Sequence, residues 1–300
     1  MAIAAITVII YLNRTYALMY DSVSEKHFSS PFTRQEYMVT QTSGEQSIYE
    51  PFPKISDSPL PFKYAALGDS LMAGVGSADY QKTLPFYIAE KLAYVGNPIT
   101  LVNLAQSGAT SKTVLEQQVP QALKENPDYV TLLIGINDVR GWYSQDKFTS
   151  NFQQIINDLS RNPKTEIIVF NIPYLQTDQT LRPPWRQIID RRTKEFNKVI
   201  SKICADKENV SVIDLYGQTI HWRSFSGLYS LDLFHPSDTG YMIWADLLHA
   251  NYINFYWPPL PDKQCPDRHL IWQKNGYRVA PDPGNLCSEG LWIWSDYYAR

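Results

Sequence analysis

The stretch Lys63-Tyr-Ala-Ala-Leu-Gly-Asp-Ser-Leu71 is a short apolar run that ends at a glycine and delivers a serine. Tyr64 to Leu67 has the length of a buried strand, and Gly68 stops it. Ser70 then falls just past a strand end, where α/β sheets gather their chemistry. Most serines in such turns only cap the next helix. Three later segments raise the reactive reading above that one: Asn103 to Gly108, Gly135 to Asp138, and Asp232 to His235.

Outward from this stretch, strands are expected at residues 99–104, 129–134, 166–170 and 210–213. Helical spacing is expected over 80–94 with Pro85 in the first turn, and over 112–125 with a kink at Pro120. Further helices are expected over 148–159, 185–204 and 239–255. Met72 to Gly76 reads as a flexible loop. The alternation predicts an α/β fold, a three-layer α/β/α sandwich around a parallel five-stranded sheet. Right-handed crossovers then bring Ser70, Gly108, Asn137 and the loop after Ile213 to one sheet edge.

That edge would hold a specific chemistry. A serine hydroxyl is a weak nucleophile unless a base takes its proton. His235 is the candidate base, and Asp232, three residues earlier, is placed to orient its imidazole. Acyl transfer also needs donors aimed at the developing oxyanion. The Ser70 N–H, the Gly108 N–H and the Asn137 side-chain amide are the candidates. Taken singly, each residue has an ordinary alternative. His235 before Pro236 could open a helix, Asp232 and Gly108 could be turn residues, and Asn137-Asp138 a helix cap. Asp69 reads as structural. Their conjunction after predicted strands, or before the last helix, carries the weight.

These residues resemble the four blocks of the SGNH (GDSL) hydrolase superfamily. Gly68-Asp-Ser-Leu71 is similar to the first block, Asn103-Leu-Ala-Gln-Ser-Gly108 to the second, Gly135-Ile-Asn-Asp138 to the third, and Asp232-Leu-Phe-His-Pro236 to the last. The blocks stand in the family's order across roughly residues 62–256. The resemblance implies a flavodoxin-like sheet and a serine esterase. Ser70, His235 and Asp232 would form its triad, and Ser70, Gly108 and Asn137 its oxyanion hole. No cofactor is implied. The likeness is to lysophospholipase/thioesterase-like or acetylesterase-like members, with a small-molecule, lipid or glycan ester as substrate. Tyr174, Trp185, Trp222, Phe225 and Tyr229, in loops 172–186 and 215–231, are expected to shape the substrate pocket. An O-acyltransferase using the same site, or a non-catalytic glycan-binding module, are the alternatives.

The remaining features bound these readings. The net charge of −3 over 300 residues leaves no basic footprint for nucleic acid. With no Cys-x-x-Cys or His-Glu-x-x-His, a metal site lacks sequence support. Gly68 to Gly76 lacks the Gly-Lys-Ser/Thr ending of a phosphate loop, and Met72 stands where a Gly-x-Ser-x-Gly elbow needs glycine. Residues 1–12 are apolar and uncharged, shorter than the ~20 residues that span a bilayer. Within a segment 1–20 they read as a clipped anchor or signal-like stretch, ahead of a packed helix, which makes the expected location extracytoplasmic, membrane-anchored or secreted. Residues 21–61 form a Ser/Thr/Pro-rich tether or wrapping arm, residues 62–257 the hydrolase domain, and 258–300 an aromatic, Pro-rich extension. Cys265 and Cys287 could close that extension with a disulfide worth ~3 kcal/mol in an oxidising compartment. Cys204 reads as a buried free thiol.

Overall fold

The computed structural model of the protein describes residues 35–39, 61–93, 98–174, 183–220, 222, 226–248, 269–273 and 276–280. The chain divides into two units, Met1–Ala245 and Asp246–Arg300. In the first, strands β2 (Phe62–Gly68), β3 (Ile99–Asn103), β4 (Tyr129–Leu133), β5 (Glu166–Phe170) and β6 (Val210–Ile213) form a parallel sheet ordered β3-β2-β4-β5-β6. Helices flank it in an α/β/α sandwich. Both central strands are apolar on two faces, as a sheet covered on both sides requires: Tyr64 to Leu67 and Val130 to Leu133 are buried throughout. The order reverses at β2, so the crevice beyond the carboxyl ends of β2 and β4 is the topological switch point.

The segment expected to be an arm supplies a sixth strand, β1 (Gln35–Val39), antiparallel to β3 with Gln35 opposite Asn103 and Val39 opposite Ile99. A five-residue strand with polar flanks has no intrinsic signal; the open edge of β3 provides the hydrogen bonds that make it one. In the second unit, β7 (His269–Gln273) pairs antiparallel with β8 (Gly276–Ala280). Residues 1–12, Phe225, Cys265 and Cys287 lie outside the described residues.

The helices refine the sequence expectations. Ser70 opens a short helix, α1 (Ser70–Ala73), and Met72, Ala73 and Val75 are buried, so the expected flexible loop is a packed turn. The helix expected from Tyr80 begins as a 3-10 turn, Tyr80–Lys82, breaks at Thr83, and resumes as α2 (Leu84–Ala93) with Pro85 in its first turn. The helical stretch α3 runs through Ser111–Thr113, a π turn Val114–Gln118, and Val119–Glu125. Pro120 cannot donate to the turn before it, and the wider π turn Val114–Gln118 lies directly ahead of it. Then follow α4 (Ile136–Arg140), α5 (Gln145–Leu159), α6 (Trp185–Cys204), α7 (Leu215–Thr219) and α8 (Asp238–Leu248). Residues Phe148, Phe152 and Phe196 form an aromatic knot between α5 and α6, with ring centroids 5.5 and 4.6 Å apart. Cys204 is free and buried.

Candidate active site

Three strand ends and one late turn converge. Gly68 closes β2 at φ +153°, and a Cβ there would stand 2.2 Å from the Leu133 carbonyl oxygen, so glycine is what lets β2 run this close to β4 before turning. Asp69 caps α1, accepting the Leu71 N–H at 3.0 Å, which fixes Ser70 at the first helical position. The turn after α1 then meets the histidine loop: at Gly76, φ +98°, a Cβ would lie 2.6 Å from the Pro236 oxygen and 3.0 Å from His235 Cβ.

The Ser70 hydroxyl lies 2.9 Å from His235 Nε2, and His235 Nδ1 lies 2.5 Å from Asp232 Oδ2. Both Ser70 and His235 are buried. The other carboxylate oxygen, Asp232 Oδ1, accepts the Ser230 hydroxyl at 2.7 Å and the Phe234 and His235 N–H groups at 2.9 Å. Leu233, between them, adopts φ +60°, a conformation that costs a branched residue about 1–2 kcal/mol and closes the turn tightly enough for one oxygen to collect three donors. Burial raises the Asp232 carboxyl, but the hydrogen bond and charge of His235 outweigh it, with help from Ser230 and Phe234, and hold it down at about 2. This carboxylate is therefore ionised at any working pH, beside the His235 imidazole.

Gly108 follows β3 in an exposed turn, with no atom of the described residues within 4 Å of where a Cβ would stand. Asn137 follows β4 in α4 and donates one amide hydrogen to the Ala109 carbonyl at 2.9 Å, which ties the two loops together and leaves its second hydrogen. The N–H groups of Ser70 and Gly108 donate to no other described residue. Behind Asn137, buried Asp138 accepts the Ser111 N–H at 2.9 Å and hydroxyl at 2.6 Å, which clamps α3 to α4. Burial raises the Asp138 carboxyl, and the Ser111 bonds pull it back.

The cleft beside these groups is lined by Leu71, Ile136, Tyr174, Trp222, Tyr229 and Phe234, among others. Three of the expected pocket aromatics thus meet there. Trp185 does not: it opens α6 and packs edge-on against Trp142, centroids 5.8 Å apart. An aromatic at a helix start gives no sequence signal of which neighbour it will face.

The sequence profile of the GDSL-like lipase/acylhydrolase family matches residues 66–243. The chain belongs to that family. It is accordingly an ester-hydrolysing enzyme. The crystal structure of a lipase/acylhydrolase from Enterococcus faecalis is 25% identical, covering 62% of this chain and 93% of that one, with a TM-score of 0.52. An acetyl xylan esterase from Geobacillus stearothermophilus (20% identity, 63% and 93% coverage, TM-score 0.51) shares the fold. So does a lipase from a goat rumen metagenome (18% identity, 63% and 96% coverage, TM-score 0.53). No curated protein sequence matches the chain. For a GDSL-like acylhydrolase, small-molecule or glycan esters are the substrates that the family implies.

The Asp of the Gly-Asp-Ser-Leu block carries a pH dependence of its own. Asp69 is fully buried, and its Oδ2 has no hydrogen-bond partner among the described residues. Burial pushes its carboxyl up to about 8, the Leu71 N–H offsetting part of this and Asp138 adding to it. Between about pH 4, where the unfolded chain loses this proton, and about pH 8, the folded state binds more protons. The Asp69 contribution to stability therefore falls as pH rises through that window. Asp69→Asn, which keeps the acceptor for Leu71, is expected to flatten the decline. Urea unfolding of both proteins across the window checks this, and parallel stability curves would count against it.

Proposed function

We propose that this enzyme is a serine esterase that cleaves short-acyl carboxylic esters through an acyl-enzyme. In this mechanism His235 Nε2 takes the Ser70 proton as Oγ attacks the ester carbonyl carbon. The charge that develops on the carbonyl oxygen is held by the Ser70 and Gly108 N–H groups and the second Asn137 amide hydrogen. Asp232 fixes the imidazole through Nδ1 and stabilises its positive form. His235 then protonates the departing alkoxide, leaving the acyl group on Ser70. Water, deprotonated by His235, attacks the acyl carbon, and the carboxylic acid leaves as Ser70 regains its proton. The main support is the continuous contact from Ser70 Oγ through His235 to Asp232, at 2.9 and 2.5 Å.

The short-acyl part rests on the cleft, whose lining includes the rings of Tyr174, Trp222, Tyr229 and Phe234. Trp222 is buried and meets Tyr229 and Trp244 with centroids 6.0 and 5.6 Å apart. An extracytoplasmic, tethered or secreted setting belongs to the same proposal and rests on apolar residues 1–12 alone. Nitrophenyl esters of increasing acyl length test the substrate class. Turnover is expected to be highest for acetyl and to fall with length, and Trp222→Ala is expected to shift the optimum toward longer chains by about 10-fold in kcat/KM, the value of one or two methylenes. Turnover rising with length in the wild type would replace the short-acyl reading with a lipid ester. Products formed only with an added alcohol would make the enzyme an acyltransferase.

A further inference from the structure

Gln118 has no place in the family blocks, yet it touches the backbone that carries the nucleophile. The residue is fully buried in the π turn of α3. Its Oε1 accepts the Gly68 N–H at 2.8 Å, and its Nε2 donates to the Gly68 carbonyl at 2.8 Å. The need for such a partner follows from the sheet. Strands β2 and β3 pair from Phe62 opposite Ile99 to Ala66 opposite Asn103, and the Leu104 N–H, just past the last pair, donates to the Ala66 carbonyl. Beyond it β3 turns away toward Gly108. The Gly68 N–H, which points to the same side as that of Ala66, is left without a described backbone acceptor there. Backbone groups buried without a partner are costly, so folded chains supply one. The Gln118 amide supplies that acceptor and gives the Gly68 carbonyl a second donor beside the Gln106 N–H.

The Gly68 carbonyl also accepts the Gln106 N–H at 3.1 Å, two residues before Gly108. One residue's backbone therefore joins the serine turn, the loop after β3 and the π turn. Resting on the proposed serine mechanism, we propose that Gln118 is a positioning residue, one that sets the Ser70 turn against the Gly108 loop so that nucleophile and oxyanion donors share one register. The same device appears once more at this edge. Asn197 of α6 accepts the Ile172 N–H at 2.9 Å and donates to its carbonyl at 2.8 Å, just past the end of β5. That second clamp holds a residue against which Gly135 packs, with Ile172 Cδ1 2.7 Å from where a Gly135 Cβ would stand.

The test uses Gln118→Met, which keeps the volume and removes both hydrogen bonds, and Gln118→Glu, assayed on nitrophenyl acetate beside wild type and Ser70→Ala. Gln118→Met is expected to lower kcat by about 10²-fold, the effect of a misplaced reacting group, with KM within about two-fold. In Gln118→Glu, the ionised carboxylate would accept from the Gly68 N–H but repel its carbonyl, whereas the protonated form restores the donor. The ratio of Gln118→Glu to wild-type kcat is therefore expected to rise as pH falls from about 8 to about 5. A folded Gln118→Met with wild-type kcat overturns the proposal. Should that variant fail to fold, the Gln118→Glu ratio decides: a rise supports positioning, and a flat ratio overturns it. Turnover that survives Ser70→Ala would instead remove the serine mechanism itself, an outcome read from a different variant.

Discussion

Ser70→Ala is expected to lower kcat on nitrophenyl acetate by about 10⁴- to 10⁶-fold while leaving KM within a few-fold. The size follows from what is removed. Without Oγ no acyl-enzyme can form, so His235 and Asp232 have nothing to activate, while the oxyanion donors and the cleft remain. His235→Ala is expected to match it, because the hydroxyl then has no base 2.9 Å away. Asp232→Ala is expected to lose less. His235 would keep its contact to Ser70, and its own backbone would lose only one of the bonds that Asp232 Oδ1 now collects. Equal losses for Asp232→Ala and His235→Ala would contradict this division of roles. Retention of activity by Ser70→Ala would overturn the nucleophile assignment. Thermal unfolding of each variant shows whether the losses occur in a folded protein.

Gly68→Ala is expected to destabilise the protein by about 3 kcal/mol or more, a large share of the 5–15 kcal/mol that separates folded from unfolded domains. The added methyl would meet a backbone carbonyl, Leu133 O at 2.2 Å, and not the flexible end of a side chain. Relief requires β2 to move from β4, and that motion breaks the bond from the Asp69 N–H to Leu133 as well as the Gln118 clamp. Gly227→Ala is the control, since no atom of the described residues lies within 4 Å of its Cβ position, and it is expected to stay within about 0.5 kcal/mol of wild type. Urea unfolding measures both. A loss at Gly68 no greater than that at Gly227 would mean the two strands are not held at the observed separation.

The parallel sheet was legible because its strands are continuous apolar runs bounded by turn residues. Val210 to Ile213, Glu166 to Phe170 and the helix Trp185 to Cys204 lie within the bounds read from the sequence. Ser70 and His235 meet because right-handed crossovers leave few places for residues after strand ends to go. Other features were not legible, and for a common reason. Strand β1 exists because β3 offers an edge, and no property of Gln35 to Val39 encodes that edge. Gln118 reads as a polar residue in a helix until β3 is seen to leave the Gly68 N–H without a backbone acceptor. A Pro two residues later marked a disturbance, but not that a π turn would aim an amide at the sheet. Trp185 illustrates the converse: aromatic, near the right loop, and packed on Trp142 instead of the cleft.

Because β1 runs against β3, Gln35 stands beside Asn103, at the sheet edge where the reactive groups gather, and Val39 at the opposite edge. The polypeptide thus enters the sheet from its working side. Anything joined directly ahead of Gln35 would begin its path at that edge, beside β3, and not at the opposite one. A surface, a bead or a second domain attached there would face the sheet edge past which Ser70 lies. For immobilisation or display, the direction of attachment would govern substrate access as strongly as the length of the leash.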